Sequence, residues 1–193
     1  MTARIVALSD ADRARATDLF ARAADYVRLE TGSDPDAATA ADFLVGAPPG
    51  CDPGLKLGQE TEGRLVSIAD LAFGFPEAAD AFIGLLLVDP AWRGRGLGAA
   101  MVAHLADEAR RRGATRILAA VLEANPAGRR FWEREGFRVV LVTEPRPRGE
   151  RLHVIHRMAR ALAPDAPPAA APQAEGGAPP RRTGDVRRTP AAR

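Results

Sequence analysis

The sequence predicts a single domain of the α/β (α+β) class, in which about four helices cover one mixed, mostly antiparallel sheet of seven strands. The chain has 193 residues, of which 46% are hydrophobic. That is enough for one core of ordinary size and too little for two. Segments with apolar residues at helical spacing interleave with short segments typical of strands. The run AFIGLLLV at 81–88 is continuously apolar, as expected for a central strand covered on both faces.

Turn and cap residues divide the chain into these elements. Glu62-Gly63 is a hairpin turn signal between two strands. Gly113 and Gly136 end the third and fourth helices. The predicted helices are 9–30, 35–46, 98–112 and 126–135. The predicted strands are 4–8, 55–60, 64–75, 81–88, 116–122, 137–142 and 152–158.

The domain is expected to span 1–162 and to be followed by a disordered tail at 163–193, which is rich in Ala, Pro and Arg and has little to bury. The net charge of +2 lies in this tail, which has five Arg against three acidic residues. A domain that contacts many phosphates needs a basic surplus. Nucleic acid is therefore not favoured as a partner of the neutral body, although contact through the tail stays an alternative.

The composition also bears on compartment and metal content. Cys51 is the single cysteine, which excludes an internal disulfide framework, and no Cys/His cluster has the spacing of a zinc site. No stretch of about 20 uncharged apolar residues and no signal-peptide pattern is present. We expect a cytoplasmic protein without a metal or a membrane partner. The oligomeric state is open, and a homodimer is one alternative.

A glycine-rich turn between the predicted central strand and the next helix carries the chemistry. Glycines there let successive N–H groups turn inward, and the helix N-terminus adds partial positive charge, so that a pyrophosphate fits on the turn. The spacing matches neither a P-loop nor a dinucleotide fingerprint. The alternative is a tight turn without a ligand. The turn consists of Arg93, Gly94, Arg95, Gly96, Leu97, Gly98 and Ala99.

The motif RGRGLG at 93–98 resembles the R/Q-x-x-G-x-G/A signature of the GCN5-related N-acetyltransferase (GNAT) superfamily, as does the preceding LVDP. Downstream, NPA at 125–127 and FWEREGF at 131–137 resemble the N-x-x-A and F-Y-E-x-x-G-F segments of that superfamily. The motifs occur in the order and separation of the family. The resemblance covers roughly 4–158 and implies two splayed central strands and acetyl-CoA as acyl donor.

The resemblance also implies a set of cofactor contacts. Backbone groups of the central strand pair with the pantetheine arm, and the amides of 94–99 hold the pyrophosphate. For Asn125, a helix N-cap before Pro126 is an alternative that is compatible with cofactor contact. The implied cofactor-binding residues are Leu86, Leu87, Val88, Arg93, Gly94, Arg95, Gly96, Leu97, Gly98, Ala99, Asn125, Arg129 and Trp132.

Two functional positions of the family are changed here. Trp132 replaces the tyrosine that acts as the acid in many relatives, and an indole N–H is not an acid near neutral pH. The glutamate that serves some relatives as base is Ala120. Asp70 and Tyr26 are the replacement candidates for catalysis. The alternatives are a partnered structural carboxylate for Asp70 and a core position for Tyr26.

The sequence predicts an N-acetyltransferase that moves an acetyl group from acetyl-CoA directly to a primary amine of a small molecule or peptide. Glu30 and Asp34 are candidates for attracting the ammonium group of this substrate, and a solvated acidic loop is the alternative. The changed residues at 120 and 132 motivate another hypothesis, a non-catalytic acyl-CoA-binding or regulatory module.

Overall fold

A computed structural model describes residues 3–48, 51 and 54–162 of the chain. The predicted tail at 163–193 lies outside the described residues. None of the helices in the described ranges is long and apolar enough to cross a membrane. The helices are α1 (Arg13–Arg22), α2 (Ala24–Thr31), α3 (Ala37–Val45), α4 (Leu97–Arg111) and α5 (Pro126–Arg134). The strands are β1 (Arg4–Ala7), β2 (Leu55–Thr61), β3 (Arg64–Phe73), β4 (Asp80–Ile83), β5 (Leu86–Val88), β6 (Arg116–Leu122), β7 (Arg138–Val142), β8 (Arg146–Arg148), β9 (Arg151–His153) and β10 (Ile155–Ala161).

The predicted fold class is confirmed, with small differences in the number of elements. The main sheet has the order β1-β2-β3-β4-β6-β10-β7, and β5 pairs with β3 beside β4. All of its pairings are antiparallel except that of β4 with β6. In the described part of the chain this sheet has eight strands instead of seven, because the predicted strand 81–88 is divided. A separate hairpin, β8 and β9, forms where a loop was expected.

The predicted first helix is also divided, at Ala23. This residue has φ −103° and ψ 29°, outside the regular helical range, and its N–H is shared between the carbonyls of Leu19 and Phe20. The predicted second helix, 35–46, is α3 in the structure, and it begins later than predicted because Asp36 is its N-cap. The Asp36 carboxylate accepts the N–H groups of Ala38 and Thr39 at 3.0 and 2.9 Å.

The core lies on both faces of the sheet. On one face, α4 and α5 cover the middle strands through buried residues that include Leu105, Ile117 and Phe137. On the other face, the first three helices pack on β3 through residues that include Leu19 and Ile68. The hairpin of β2 and β3 turns at Glu62-Gly63 as predicted, with both residues at positive φ, 53° and 76°.

Candidate active site

The central strand divides where the sheet opens. Its first part, β4, pairs with β3 and runs parallel to β6 as far as the pair Ile83 and Ala119. Its second part, β5, pairs with β3 from Leu86 to Val88 and, among the described strands, with no other. Beyond Ile83 the sheet therefore opens into a cleft between β5 and β6.

The hydrogen bonds of β5 determine which of its peptide groups face this cleft. The Asp70 N–H donates to the Leu85 carbonyl at 3.1 Å, and the Asp89 N–H donates to the Val66 carbonyl at 2.9 Å. Because partners alternate along an antiparallel pair, the peptide groups of Leu87 also face β3. Those of Leu86 and Val88 point into the cleft. The expected pairing of the Leu87 backbone with the pantetheine arm does not fit this arrangement, because the Leu87 N–H and C=O are used within the sheet.

The cleft is a cavity of about 590 Å³, within the usual range for small-molecule sites. Its walls come from α2, β5, the glycine-rich turn, the end of β6 and α5. Representative lining residues are Tyr26, Leu86, Gly96, Val121, Asn125 and Phe131.

One end of the cleft is the glycine-rich turn. Gly94 and Gly96 have φ of 76° and 81°, and α4 begins immediately afterwards. Within the described part of the chain, the N–H groups of 94–99 donate to no other residue. Consecutive free amides at a helix N-terminus form a site for an anion. This is the group of atoms that a pyrophosphate requires.

A buried carboxylate fixes the chain just before this turn. Asp89 accepts the Ala91 N–H at 3.0 Å, and its other oxygen binds the guanidinium of Arg22 at 2.7 Å. Burial opposes ionisation of this carboxyl, but its bonds to Arg22 and Ala91 outweigh burial and hold its pKa below the ordinary range.

The two arginines of the turn are already engaged. Arg93 donates from Nε to the Val88 carbonyl at 3.1 Å and from Nη2 to Asp25 Oδ1 at 2.9 Å. Arg93 is one of the implied cofactor-binding residues, and in this structure its guanidinium is held by a carboxylate. Arg95 lies over the Trp92 ring, with its guanidinium carbon 4.7 Å from the ring centroid.

The opposite wall comes from the start of α5. Asn125 Oδ1 accepts the Gly128 N–H at 2.8 Å, so this residue is the helix cap and also lines the cleft. Trp132 is 8% exposed and packs edge to face against its neighbours Phe131 and Phe137. It contributes an apolar wall.

Arg129 is not a cleft residue, contrary to expectation. Its side chain does not line the cavity, and its guanidinium binds Glu133 at 3.0 Å and approaches His156 Nδ1 at 3.4 Å.

Tyr26 and Glu30 form a polar pair at the side of the cleft. Tyr26 lines the cavity, and burial together with the neighbouring Glu30 charge raises the pKa of its hydroxyl. Glu30 lies behind it and outside the lining. Burial raises the pKa of the Glu30 carboxyl, although Arg148 and His153 act in the opposite direction. The His153 ring holds this segment through its Nε2, 2.9 Å from the Glu30 carbonyl.

The other two acidic candidates lie elsewhere. Asp34 is exposed and binds the Arg28 Nε at 2.6 Å, so the alternative of a surface carboxylate describes it better than a substrate role. The Asp70 carboxylate binds the Leu85 N–H at 2.5 Å and the Lys56 ammonium at 3.1 Å. It does not line the cleft, and the partnered structural alternative applies.

Sequence reasoning missed the contribution of the β8–β9 hairpin. This hairpin packs on the end of α2, where the Glu150 N–H donates to the Thr31 carbonyl at 2.8 Å. It also carries Arg148 and His153 towards Glu30. The one signal available was Gly149, which sits at the turn with φ 56°. No group of metal-ligand residues occurs within the ranges that the structure describes.

A sequence model of the acetyltransferase (GNAT) family matches residues 16–137. This chain belongs to the GNAT family. The match begins within α1, includes α2 to α5 and ends at the last residue of the FWEREGF segment, so it contains both motifs that carried the resemblance. No curated protein matches the chain.

Solved structures with the same fold include several other acetyltransferases. An acetyltransferase from Thermus thermophilus superposes with a TM-score of 0.70 at 24% identity, covering 84% of this GNAT chain and 98% of its own. The ribosomal-protein-S18-alanine N-acetyltransferase of Escherichia coli gives 0.65 at 20% identity, with 88% and 99% covered. The Salmonella typhimurium protein yncA, solved with its cofactor acetyl-CoA, gives 0.61 at 23% identity, with 89% and 100% covered.

Proposed function

We propose that this GNAT protein transfers an acetyl group from acetyl-CoA directly to a primary amine of a small molecule or peptide. One observation carries the proposal. The cleft that opens between β5 and β6 ends at a turn whose amides, residues 94–99, have no acceptor in the described chain. A wedge-shaped cavity that joins an anion site to free strand edges suits a long thioester with a diphosphate.

The residues present fit acetyl-CoA along its length. The amides of 94–99 hold the pyrophosphate. The N–H groups of Leu86 and Val88 and the Leu86 carbonyl are available to pair with the amides of the pantetheine arm, as an added strand does, whereas the Val88 carbonyl already accepts from Arg93. Asn125 and the face of Trp132 line the other side.

The reaction is aminolysis of a thioester. A neutral amine attacks the carbonyl carbon and the C–N bond forms. The C–S bond then breaks, and the extra proton of the attacking nitrogen passes through water to the released thiolate. In the cleft the N–H groups of Leu86 and Val88 are the backbone donors available to polarise the carbonyl. Because the thiolate is a good leaving group, positioning and polarisation account for much of the rate.

The remaining requirement is to remove a proton from the ammonium group of the acceptor. Tyr26 lines the cavity and lies beside Glu30, a carboxylate whose pKa burial raises. In our proposal the amine gives its proton to the Tyr26 oxygen while the Tyr26 hydroxyl proton passes to Glu30. A carboxylate whose pKa is raised towards neutrality is a better base than an ordinary one.

This assignment moves proton transfer from α5 to α2. The tyrosine of the family motif is Trp132 here, and its ring is fixed between Phe131 and Phe137. Tyr26 supplies a hydroxyl from the facing wall of the same cleft. The changed residue at 132 is therefore compatible with catalysis.

The test is release of free thiol from acetyl-CoA in the presence of polyamines, amino acids, aminoglycosides and peptides with a free N-terminus. The panel includes a peptide that begins with alanine, because the Escherichia coli structural neighbour is named for an S18-alanine substrate. Turnover with at least one amine is expected. Tight binding of acetyl-CoA without turnover on any amine would instead support a non-catalytic acyl-CoA-binding module.

A further inference from the structure

The register of β3 shifts by one residue where β4 gives way to β5. On the β5 side Ala69 faces Leu86, whereas on the β4 side Ala72 faces Phe82. Two residues, Ile83 and Gly84, therefore face one residue of β3. This β-bulge is the point at which the central strand leaves β6.

The bulge changes the direction of every peptide group that follows it. In β4 the Asp80 carbonyl accepts from β3, through the Gly74 N–H at 2.8 Å, so Ile83 faces β6. Without an extra residue, the same alternation would turn Leu85 and Leu87 towards the cleft. With the extra residue, Leu86 and Val88 face it instead.

The bulge leaves an N–H group without its usual partner, and Asp70 binds it. In a regular ladder Leu85 would donate to the backbone carbonyl of Asp70, whose N–H it already receives. It donates instead to the Asp70 carboxylate, 2.5 Å away. Gly84 leaves room for this bond, because a Cβ at that position would lie 2.8 Å from both carboxylate oxygens.

A lysine holds the carboxylate in place. Lys56 faces Asp70 across the strand pair, with 3.1 Å between Nζ and Oδ2, and also donates to the Gly46 carbonyl at 2.5 Å. Both side chains are largely buried, at 9% and 15% exposure. A buried ion pair of this kind is weak evidence for added stability. We therefore attribute its role to the local geometry that it fixes.

We propose that Asp70, held by Lys56, is a positioning residue that maintains the bulge at Gly84 and so presents Leu86 and Val88 to the acyl donor. This inference rests on the proposed function. Asp70 acts through the Leu85 peptide and does not touch the donor. Its loss should therefore weaken coenzyme A binding even though the carboxylate lies outside the cleft.

The experiment compares two double variants that leave no buried unpaired charge. Lys56→Met with Asp70→Asn keeps an oxygen for the Leu85 N–H, whereas Lys56→Met with Asp70→Ala removes it. By calorimetry, the Ala variant should bind coenzyme A about tenfold more weakly than the Asn variant. Amide hydrogen exchange at Leu85 should be faster in the Ala variant alone. Equal affinities, or equal exchange at Leu85, would overturn the inference.

Two further measurements keep the result interpretable. Gly84→Ala crowds the Asp70 carboxylate without changing any charge. It should weaken coenzyme A binding and speed amide exchange at Leu85, as the Ala double variant does. This single variant tests the inference if the double variants do not fold. If the wild-type chain fails to bind coenzyme A, the proposed function is wrong. Leu85 exchange then still decides whether Asp70 maintains the bulge.

Discussion

The guanidinium of Arg93 binds the carboxylate of Asp25, with 2.9 Å between Nη2 and Oδ1, and so connects the glycine-rich turn to α2. The bond to Arg93 lowers the pKa of Asp25, against the effect of burial. Asp25 therefore stays ionised at neutral pH beside a turn that is built for an anion. In the proposed complex with acetyl-CoA, Asp25 competes with the diphosphate for this arginine.

Asp25→Asn is expected to strengthen coenzyme A binding by about fivefold at low salt, because one negative charge near the diphosphate is removed and Arg93 is released. The side chains are partly exposed, so the gain should shrink in roughly 0.5 M salt. Calorimetric titration at both salt concentrations measures this effect. Weaker binding of the variant would show that Asp25 orients Arg93 usefully.

Gly96→Glu is expected to reduce coenzyme A binding below detection, because it puts a negative charge where the pyrophosphate lies. Gly96 has φ 81°, so any side chain there introduces strain of roughly 1–2 kcal/mol. Gly96→Ala is the matched control, since a Cβ at this position meets no atom within 4 Å. The alanine variant should have a melting temperature similar to that of the glutamate variant, because both carry the same strain, and it should keep most of the wild-type affinity for coenzyme A. Unchanged affinity in the glutamate variant would contradict the pyrophosphate site.

Tyr26→Phe and Glu30→Gln are each expected to lower kcat about 100-fold with little change in the KM for acetyl-CoA. Because the proposed proton path uses both groups in series, the double variant should be no slower than either single variant. Steady-state kinetics on the best amine of the panel measures this. If the kcat loss of the double variant is instead the product of the two single losses, the two residues act independently.

The raised pKa of Glu30 has opposite effects on activity and on stability. A base has to be ionised, so activity should rise with pH through a pKa above the ordinary 4.5. A carboxyl whose pKa is higher in the folded chain than in the unfolded chain stabilises the fold when protonated. That stability is lost as pH rises through the same window. Melting curves and pH–rate profiles of the wild type should show both trends, and Glu30→Gln should show neither.

The control for this pH experiment is Asp34→Asn. Asp34 is exposed and paired with Arg28 on the surface. Surface ion pairs contribute little to the free energy of unfolding, so the substitution should leave the fold unchanged. Its rate profile should overlay that of the wild type. If the acidic side of the pH–rate profile shifts in this variant, Asp34 and not Glu30 is the group that accepts the proton.

Local signals predicted much of this fold. The strand at 116–122 has the predicted bounds, and the Glu62-Gly63 turn is where the sequence places it. The glycine-rich turn was predicted from local signals too, since alternating glycines before a helix permit the positive φ that this turn needs. In each case the residues that decide the structure are neighbours in sequence.

The parts that could not be predicted depend on distant residues. The family resemblance implied that the central strands splay, but the unbroken apolar run does not show that the strand divides at Gly84, because the bulge is held by Asp70 on the neighbouring strand. Likewise, the partner of Arg93 is 68 residues away in the chain. Tyr26 lines the cleft from α2, which begins after the break at Ala23, and no glycine or proline marks that break.

The helix cap formed by Asn125 also restricts what this residue can recognise. Its amide oxygen already accepts the Gly128 N–H, which leaves one lone pair of that oxygen and the NH₂ group to meet a molecule in the cavity. That group donates and cannot accept. With most of its acceptor capacity used inside the helix cap, Asn125 presents mainly a donor, which favours a carbonyl or phosphoryl oxygen at this point of the wall.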